Sequence, residues 1–163
     1  MREDRTQVEH RVLGPNGWMP NNPQLAVRIY RDLRTAHGRR MDAADFERRF
    51  DANGWPPDWR GGVYDFHHYH STAHEVLGVF SGRARLELGG EDGLLLTVEA
   101  GDALLLPAGT GHLCVDATDF RVVGAYPAGQ VWDICRQASD AATLARIRTL
   151  AAPERDPIDG APF

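Results

Sequence analysis

Histidine is concentrated in one short stretch of the chain, FHHYHSTAHEVLG, which runs from residue 66 to residue 78. The stretch holds four of the seven histidines, and a glutamate, Glu75, follows the last of them directly. Imidazole and carboxylate groups together suit first-row transition metals. The stretch therefore points to a metal centre and leaves open which of its five side chains take part.

Strand geometry divides these histidines between two faces. The segment VYDFHHYH, residues 63–70, is predicted to be a strand, and side chains alternate sides along a strand. His68 and His70 then share one face and can both reach one ion, whereas His67 points away from it. A new strand that starts at Glu75 would run back beside the first and bring the carboxylate close to the pair.

The remaining ligand is expected outside the cluster, at His112, which follows the turn PAGTG. Taken alone, His112 would more often be a buried core histidine than a ligand. Cys114 has the same strand parity, and it is either a small core residue or a thiolate ligand that would favour zinc or copper.

Two further side chains are candidates for catalytic roles. His74 sits in the connector beside Glu75 and has three open roles: a ligand in place of Glu75, a partner of a ligand, or a proton carrier at the mouth of the site. Tyr64 and Phe66 share the face of His68, so both either line a pocket or pack in the core. His74 and Tyr64 are the candidates that the sequence offers for a general base.

Composition narrows the class of protein. The chain has 163 residues, with 42% hydrophobic and 25% charged residues, which predicts one globular domain. The net charge is −5 without a basic stripe, so nucleic acid is not an expected partner. No apolar run is long enough to span a bilayer, and the polar N-terminus does not resemble a secretory signal. Two cysteines, Cys114 and Cys135, are then interpreted as reduced thiols of a cytoplasmic protein.

The spacing of apolar segments and turns predicts an all-β fold. Between residues 62 and 126 about seven short strands follow one another, divided by turns such as GGEDG, with no helical pattern between them. Such a run favours a sandwich or barrel over a parallel α/β sheet. Residues 25–30 are predicted to form an additional strand.

Two short helices are predicted outside this run. The first has Asp42 as N-cap, Phe46 and Phe50 four residues apart on one face, and Gly54 as its end. The second has Ser139 as N-cap and ends at Pro153.

The chain divides into three parts of one structural domain. Residues 1–61 are expected to be an arm, a strand and a helix that pack on the barrel, with residues 1–23 irregular and 55–62 a rigid connector. Residues 62–127 are expected to form the core barrel. Residues 128–163 are expected to hold the C-terminal helix and a tail. Trp55 and Trp59 are interpreted as core or interface anchors.

Two spaced motifs resemble those of the cupin superfamily. The first resembles its motif at every fixed position: Gly62-x5-His68-x-His70-x4-Glu75-x6-Gly82. The second is Gly101-x5-Pro107-x-Gly109-x2-His112. The second motif commonly ends with Asn four residues after the histidine, where this chain has Asp116. Beyond the motifs, NGWPPDWRGGVYDFHHYHSTAHEVLGV and DFRVVGAYPAGQ resemble a narrower group, the YjlB-like bacterial single-domain cupins.

The resemblance implies a double-stranded β-helix, or jelly-roll barrel, with an ion inside. It implies four metal ligands: His68, His70, Glu75 and His112. It also implies a homodimer, by analogy with cupins that pair through sheet edges.

Such a ligand set predicts the kind of function. Three imidazoles and a carboxylate leave an octahedral ion up to two open positions for water, dioxygen or a substrate oxygen. Iron, manganese, nickel, zinc, cobalt and copper all suit these ligands, so one divalent transition metal per chain is expected without a choice among them. The leading hypothesis is a metal-dependent enzyme, an oxygenase (and so an oxidoreductase), decarboxylase or isomerase, that acts on a small organic molecule. The alternative is a non-catalytic module that binds a metal and a metabolite.

Overall fold

Antiparallel strands dominate the structure, a computed structural model that describes residues 8–163. The strands are β1 (Val8–Arg11), β2 (Val27–Tyr30), β3 (Pro57–Gly61), β4 (Glu75–Leu88), β5 (Leu94–Glu99), β6 (Ala103–Leu106) and β7 (His112–Ala125). The helices are α1 (Ala43–Ala52) and α2 (Ala141–Thr149). The sheet order is β1-β2-β6-β4-β7-β3, and β5 also pairs with β4. Every pairing is antiparallel, as an all-β jelly roll requires.

The middle strands are buried on both faces. Leu77, Leu104 and Val122 belong to an apolar cluster inside the barrel. Their neighbours in sequence belong to a second cluster on the opposite face, beneath α1: Val76, Leu105 and Val123. Because neighbouring residues of a strand face opposite sides and both sides are buried here, the sequence of each strand is a continuous apolar run.

Helix α1 covers the outer face of β4. A capping box begins the helix: Asp42 accepts from the backbone N–H of Asp45, and Asp45 accepts from that of Asp42, both at 2.9 Å. The rings of Phe46 and Phe50 are fully buried against Gly78. A Cβ atom at Gly78 would lie 2.5 Å from the Phe46 ring, so only glycine permits this close approach.

Strands β4 and β7 form the longest ladder, and it is strongly bent. Each has fourteen residues, and their register runs from Val76 opposite Ala125 to Leu88 opposite His112. The register shifts between Val79 and Arg83, and such bulges bend a strand and increase its twist. A straight strand of this length would hold its ends about 40 Å apart. In the bent ladder, Glu75 at one end lies 3.3 Å from His112 at the other, measured from Oε1 to Nε2.

The predicted strand at residues 63–70 is not formed. Only isolated bridges occur there, His68 with His112 and Tyr69 with Cys135. The backbone N–H of Cys114 donates to the carbonyl of Tyr64. Between this bond and the bridge of His68 with His112, the chain advances four residues on one side and two on the other. The two extra residues bend the segment away, which prevents a regular ladder.

Three other expectations are corrected by the structure. Residues 57–61, expected to be a connector, form the edge strand β3, where a proline as first residue is tolerated. Residues 8–11 of the expected irregular arm form β1; residues 1–7 lie outside the described part of the chain. The N-cap of α2 is Asp140, because its side chain accepts from the backbone N–H of Thr143, while Ser139 lies against the Tyr69 hydroxyl at 2.8 Å.

The C-terminal tail is fixed to the barrel. The Asp156 carboxylate accepts a hydrogen bond from Arg28 at 2.8 Å and another from the Tyr30 hydroxyl. The Trp55 indole donates to the carbonyl of Arg155 at 2.9 Å. Neither helix of residues 8–163 is long and apolar enough to cross a membrane.

Replacing Phe46 by Ala should lower the free energy of unfolding by about 3–5 kcal/mol, because it leaves a cavity between α1 and β4. Chemical denaturation followed by circular dichroism measures this change. Leu95→Ala is the matched control: Leu95 is 52% exposed, so its loss should cost less than about 1 kcal/mol. Equal losses in the two variants would contradict the assignment of α1 to the core.

Candidate metal centre

Three buried histidines meet inside the barrel. His68 and His70 come from the bent segment before β4, and His112 is the first residue of β7. The backbone bridge between His68 and His112 fixes their relative position. One ring nitrogen from each histidine lies within 4.8 Å of the other two, so the three side chains could hold a metal ion.

Backbone carbonyls orient the three rings. The acceptors for the Nδ1 atoms are Phe66 for His68 at 3.0 Å, Thr110 for His112 at 2.9 Å, and Asp133 for His70. A carbonyl oxygen only accepts, so each Nδ1 carries a hydrogen and Nε2 is the ring nitrogen that could bind a metal. This is the arrangement by which neighbouring groups usually orient metal-binding histidines.

The carboxylate of Glu75 completes the cluster from the first position of β4. Its Oε2 lies 3.2 Å from Nε2 of His70, and its Oε1 lies 3.3 Å from Nε2 of His112. The hydroxyl of Tyr126 donates to Oε2 at 2.6 Å, and the Trp59 indole donates to that hydroxyl at 2.8 Å. Glu75 is thus held by two imidazoles and by a tyrosine hydroxyl.

Burial and mutual charge set the protonation of the cluster. Burial, together with the neighbouring His112, lowers the pKa of His68 to about 3, so this ring is neutral at pH 7. Burial alone would lower the pKa of His70, but the Glu75 carboxylate and the Asp133 carbonyl raise it above the ordinary value. Burial opposes the ionisation of Glu75, yet the charge of His70 and the hydrogen bond from His112 hold its pKa well below the ordinary value.

A cavity of about 270 Å³ opens onto the cluster. Aromatic and aliphatic side chains form most of its wall, and neither lysine nor arginine is among the described residues that line it. The lining residues are Trp59, Gly61, Gly62, Val63, Tyr64, His68, His70, Glu75, Leu77, His112, Tyr126 and Trp132.

The other side chains that the sequence singled out lie in different places. His67 faces away from the cluster, with Nε2 at 3.2 Å from the Glu87 carboxylate. Cys114 and Cys135 are free, half-buried thiols, and Cys114 packs at the margin of the inner apolar cluster. Tyr64 is 48% exposed and lines the mouth of the cavity, where it stacks on Phe66 at 4.8 Å between ring centroids.

His74 has a structural position. The backbone N–H of Ala108 donates to its Nδ1 at 2.9 Å, and its Nε2 donates to the carbonyl of Ala151 at 3.0 Å. Burial lowers its pKa, so the ring is neutral, and it does not line the cavity. This placement differs from that of a proton carrier at the mouth, because both nitrogens are already used in joining a loop to the tail. A catalytic role for His74 stays a prediction that no contact supports.

Sequence reasoning missed four contributors to the site: Trp59, Tyr126, Trp132 and Asp133. Trp59 was interpreted as an anchor, yet its indole lines the cavity and packs on Gly124. Tyr126 follows Ala125, which pairs with Val76, so it comes level with Glu75. Only the register of β4 against β7 reveals that relation, and no local pattern encodes it.

Antiparallel strands closed around three imidazoles and a carboxylate define the cupin class of protein. The cupin domain model matches residues 58–123. The chain belongs to the cupin superfamily, which confirms the fold class and the family expected from the two motifs.

Among individual proteins, the chain is similar in sequence to YjlB. It is 34% identical over 148 residues to the "Uncharacterized protein YjlB" of Bacillus subtilis (strain 168), over 89% of this chain and 86% of that protein. Among solved structures, it is similar to procruciferin, an 11S globulin from Brassica napus, with 15% identity and a TM-score of 0.42. That match covers 75% of this chain, which spans only 29% of the procruciferin chain.

Replacing His112 by Ala should weaken metal binding by at least about tenfold, because it removes one of the three converging nitrogens. His67→Ala is the matched control, since His67 belongs to the same histidine-rich stretch but contacts Glu87 instead. Metal content per chain, measured by mass spectrometry after equal loading, tests the difference. Equal losses in the two variants would show that the cluster does not hold the metal.

Lowering the pH should also weaken metal binding. Below its raised pKa, Nε2 of His70 carries a proton that must leave before a metal binds, whereas Glu75 stays ionised. One displaced proton corresponds to about a tenfold rise in Kd per pH unit below that pKa. Competition with a coloured chelator from about pH 8 to about pH 5.5, on either side of the ordinary histidine pKa, measures the slope. A Kd that is constant over this range would contradict the exchange of a proton for the metal.

Proposed function

We propose that this chain binds one divalent transition metal ion and is a metal-dependent enzyme that acts on a small organic molecule. The proposed ligands are His68, His70 and His112 through Nε2, together with the Glu75 carboxylate. One observation carries the proposal: the Nε2 atoms of three imidazoles and a buried carboxylate converge at the inner end of a cavity.

The spacing of the donor atoms supports a shared ion. Two ligands at right angles, each about 2.1 Å from an ion, lie about 3.0 Å from each other. The two distances from Glu75 to imidazole nitrogens, 3.2 and 3.3 Å, are close to this value. A buried carboxylate also requires a compensating positive charge, which a divalent ion would supply.

The ligand types suit iron, manganese, nickel, zinc, cobalt and copper, and they do not select among these metals. When bound, such an ion supplies Lewis-acid or one-electron redox chemistry beside the cavity.

The cavity wall limits what can bind. Its volume of about 270 Å³ suits a molecule of few heavy atoms, since ligand pockets usually start at about 300 Å³. No lysine or arginine among its described lining residues is available to pair with several negative charges. We therefore propose a neutral or singly charged organic substrate with one or two oxygen donors, held in place by the side chains of Trp59, Leu77 and Trp132.

The choice of reaction follows from the scarcity of acid–base groups. Apart from the four proposed ligands, Tyr64 and Tyr126 are the titratable residues in the lining, and the Tyr126 hydroxyl already donates to Glu75. A reaction that depends chiefly on the metal is favoured over one that needs a strong general base. Oxygenation is the first class to test, ahead of decarboxylation and isomerisation, and Tyr64 is the proposed proton donor or acceptor at the mouth.

The same scarcity favours the alternative, a non-catalytic module that binds a metal and a metabolite. A homodimer and a cytoplasmic location also belong to the proposal; the two free thiols agree with a reducing compartment.

Elemental analysis of the purified protein, followed by a dioxygen electrode, tests the proposed function. We expect about one transition metal per chain and dioxygen consumption with one class in a panel of thiols, diketones, catechols and small acids. His112→Ala is the control and should lose both. Protein that stays metal-free after incubation with Fe(II), Mn(II), Ni(II) and Zn(II) would overturn the site. A metal-loaded protein that consumes no dioxygen but binds a panel member tightly would support the binding module instead.

A further inference from the structure

A short segment contributes one residue, Trp132, to the wall of the cavity and is held by hydrogen bonds along its length. This entrance segment, residues 130–137, runs beside residues 69–74. Its ties include a backbone pair between Tyr69 and Cys135, at 3.0 and 2.9 Å, and, among others, three bonds that involve side chains. The latter join Ser71 N–H to the Asp133 carboxylate at 2.6 Å, the Thr72 hydroxyl to the Val131 carbonyl at 2.6 Å, and His74 N–H to the Gln130 side chain at 3.1 Å.

These ties place the backbone of Trp132 at the edge of the cavity. The neighbouring side chains of the segment, Val131 and Ile134, are 77% and 40% exposed and do not line the cavity, whereas Trp132 does. Because the backbone is fixed on both sides of Trp132, any movement of its indole at the mouth must come from side-chain rotation.

The indole of Trp132 joins two walls of the mouth. It stacks on Tyr126 with 6.1 Å between ring centroids and meets His70 edge-on at 5.9 Å. Its Nε1 donates to the carboxylate of Asp58, on strand β3, at 2.8 Å. This bond is exposed to solvent, so water can replace each partner when the contact opens.

We propose that Trp132 determines the specificity of the cavity by limiting the size of the ligand, and that Asp58 holds Trp132 in the restricting position. A ligand larger than one small ring must displace the indole and break its bond to Asp58. This inference rests on the proposed function, because it needs a metal with open positions at the inner end of the cavity.

A pair of metal-binding probes of different size tests the proposal. The probes are acetohydroxamate and 2-naphthohydroxamate, which present the same two oxygen donors on a small and a large body. Binding to the cobalt(II)-loaded protein is followed by visible absorption. The wild type should prefer acetohydroxamate, and W132A should reduce that preference by at least about tenfold through tighter binding of the larger probe.

Two further variants distinguish size restriction by Trp132 from a general loosening of the entrance segment. D58A keeps the indole but removes its acceptor, so its preference should fall between the wild type and W132A. V131A changes an exposed side chain of the same segment and should behave as the wild type. Metal content is measured for every variant.

The outcomes distinguish this inference from the proposed function. A graded loss of preference in D58A and W132A, at constant metal content, supports it. An unchanged preference in both variants overturns the inference that Trp132 and Asp58 limit ligand size. Binding of acetohydroxamate in that case still supports the proposed function. A metal-loaded wild type that binds neither probe overturns both.

Discussion

The buried charge of Glu75 constrains the whole site. A carboxylate inside a β-barrel is costly unless hydrogen-bond donors and positive charge surround it. Two imidazoles lie within 3.3 Å of its oxygens, and the Tyr126 hydroxyl donates to Oε2 at 2.6 Å. Each of these partners is itself oriented by a further contact: carbonyls hold the imidazoles, and the Trp59 indole holds the tyrosine. The cluster is therefore organised in advance around a position that a cation suits.

This organisation depends on the curvature of one ladder. Glu75 begins β4 and His112 begins β7, and antiparallel pairing alone would put them at opposite ends. Register shifts at three points between Val79 and Leu86 bend the ladder, and the side chains of Glu75 and His112 meet inside the barrel. Helix α1 packs on Gly78 from the outer face of β4. The site and the core of the barrel thus share the same strands, and a change that straightens the ladder would separate the ligands.

The entrance segment joins the site to the mouth of the cavity. The carbonyl of Asp133 accepts from Nδ1 of His70, and the preceding residue, Trp132, lines the cavity. Orientation of a proposed metal ligand and part of the cavity wall therefore depend on adjacent residues of the same segment. His74 contributes through the same loop, where its backbone N–H binds the Gln130 side chain. This structural position explains why a histidine so close to the cluster stays outside the cavity.

The sequence by itself determined which histidines group together, because side-chain parity and motif spacing are local properties. Parity separated His67 from His68 and His70, the helix of Phe46 and Phe50 followed from its caps and period, and the two motifs predicted the cupin barrel. Tertiary structure decided the rest. The segment at 63–70 bends instead of forming a strand, because two extra residues face the edge of β7. Tyr126 reaches Glu75 through the register of strands far apart in sequence, and Trp132 reaches the mouth through a segment without periodic pattern. Contacts of this kind arise when distant parts of the chain share one interior, so no window of sequence contains them.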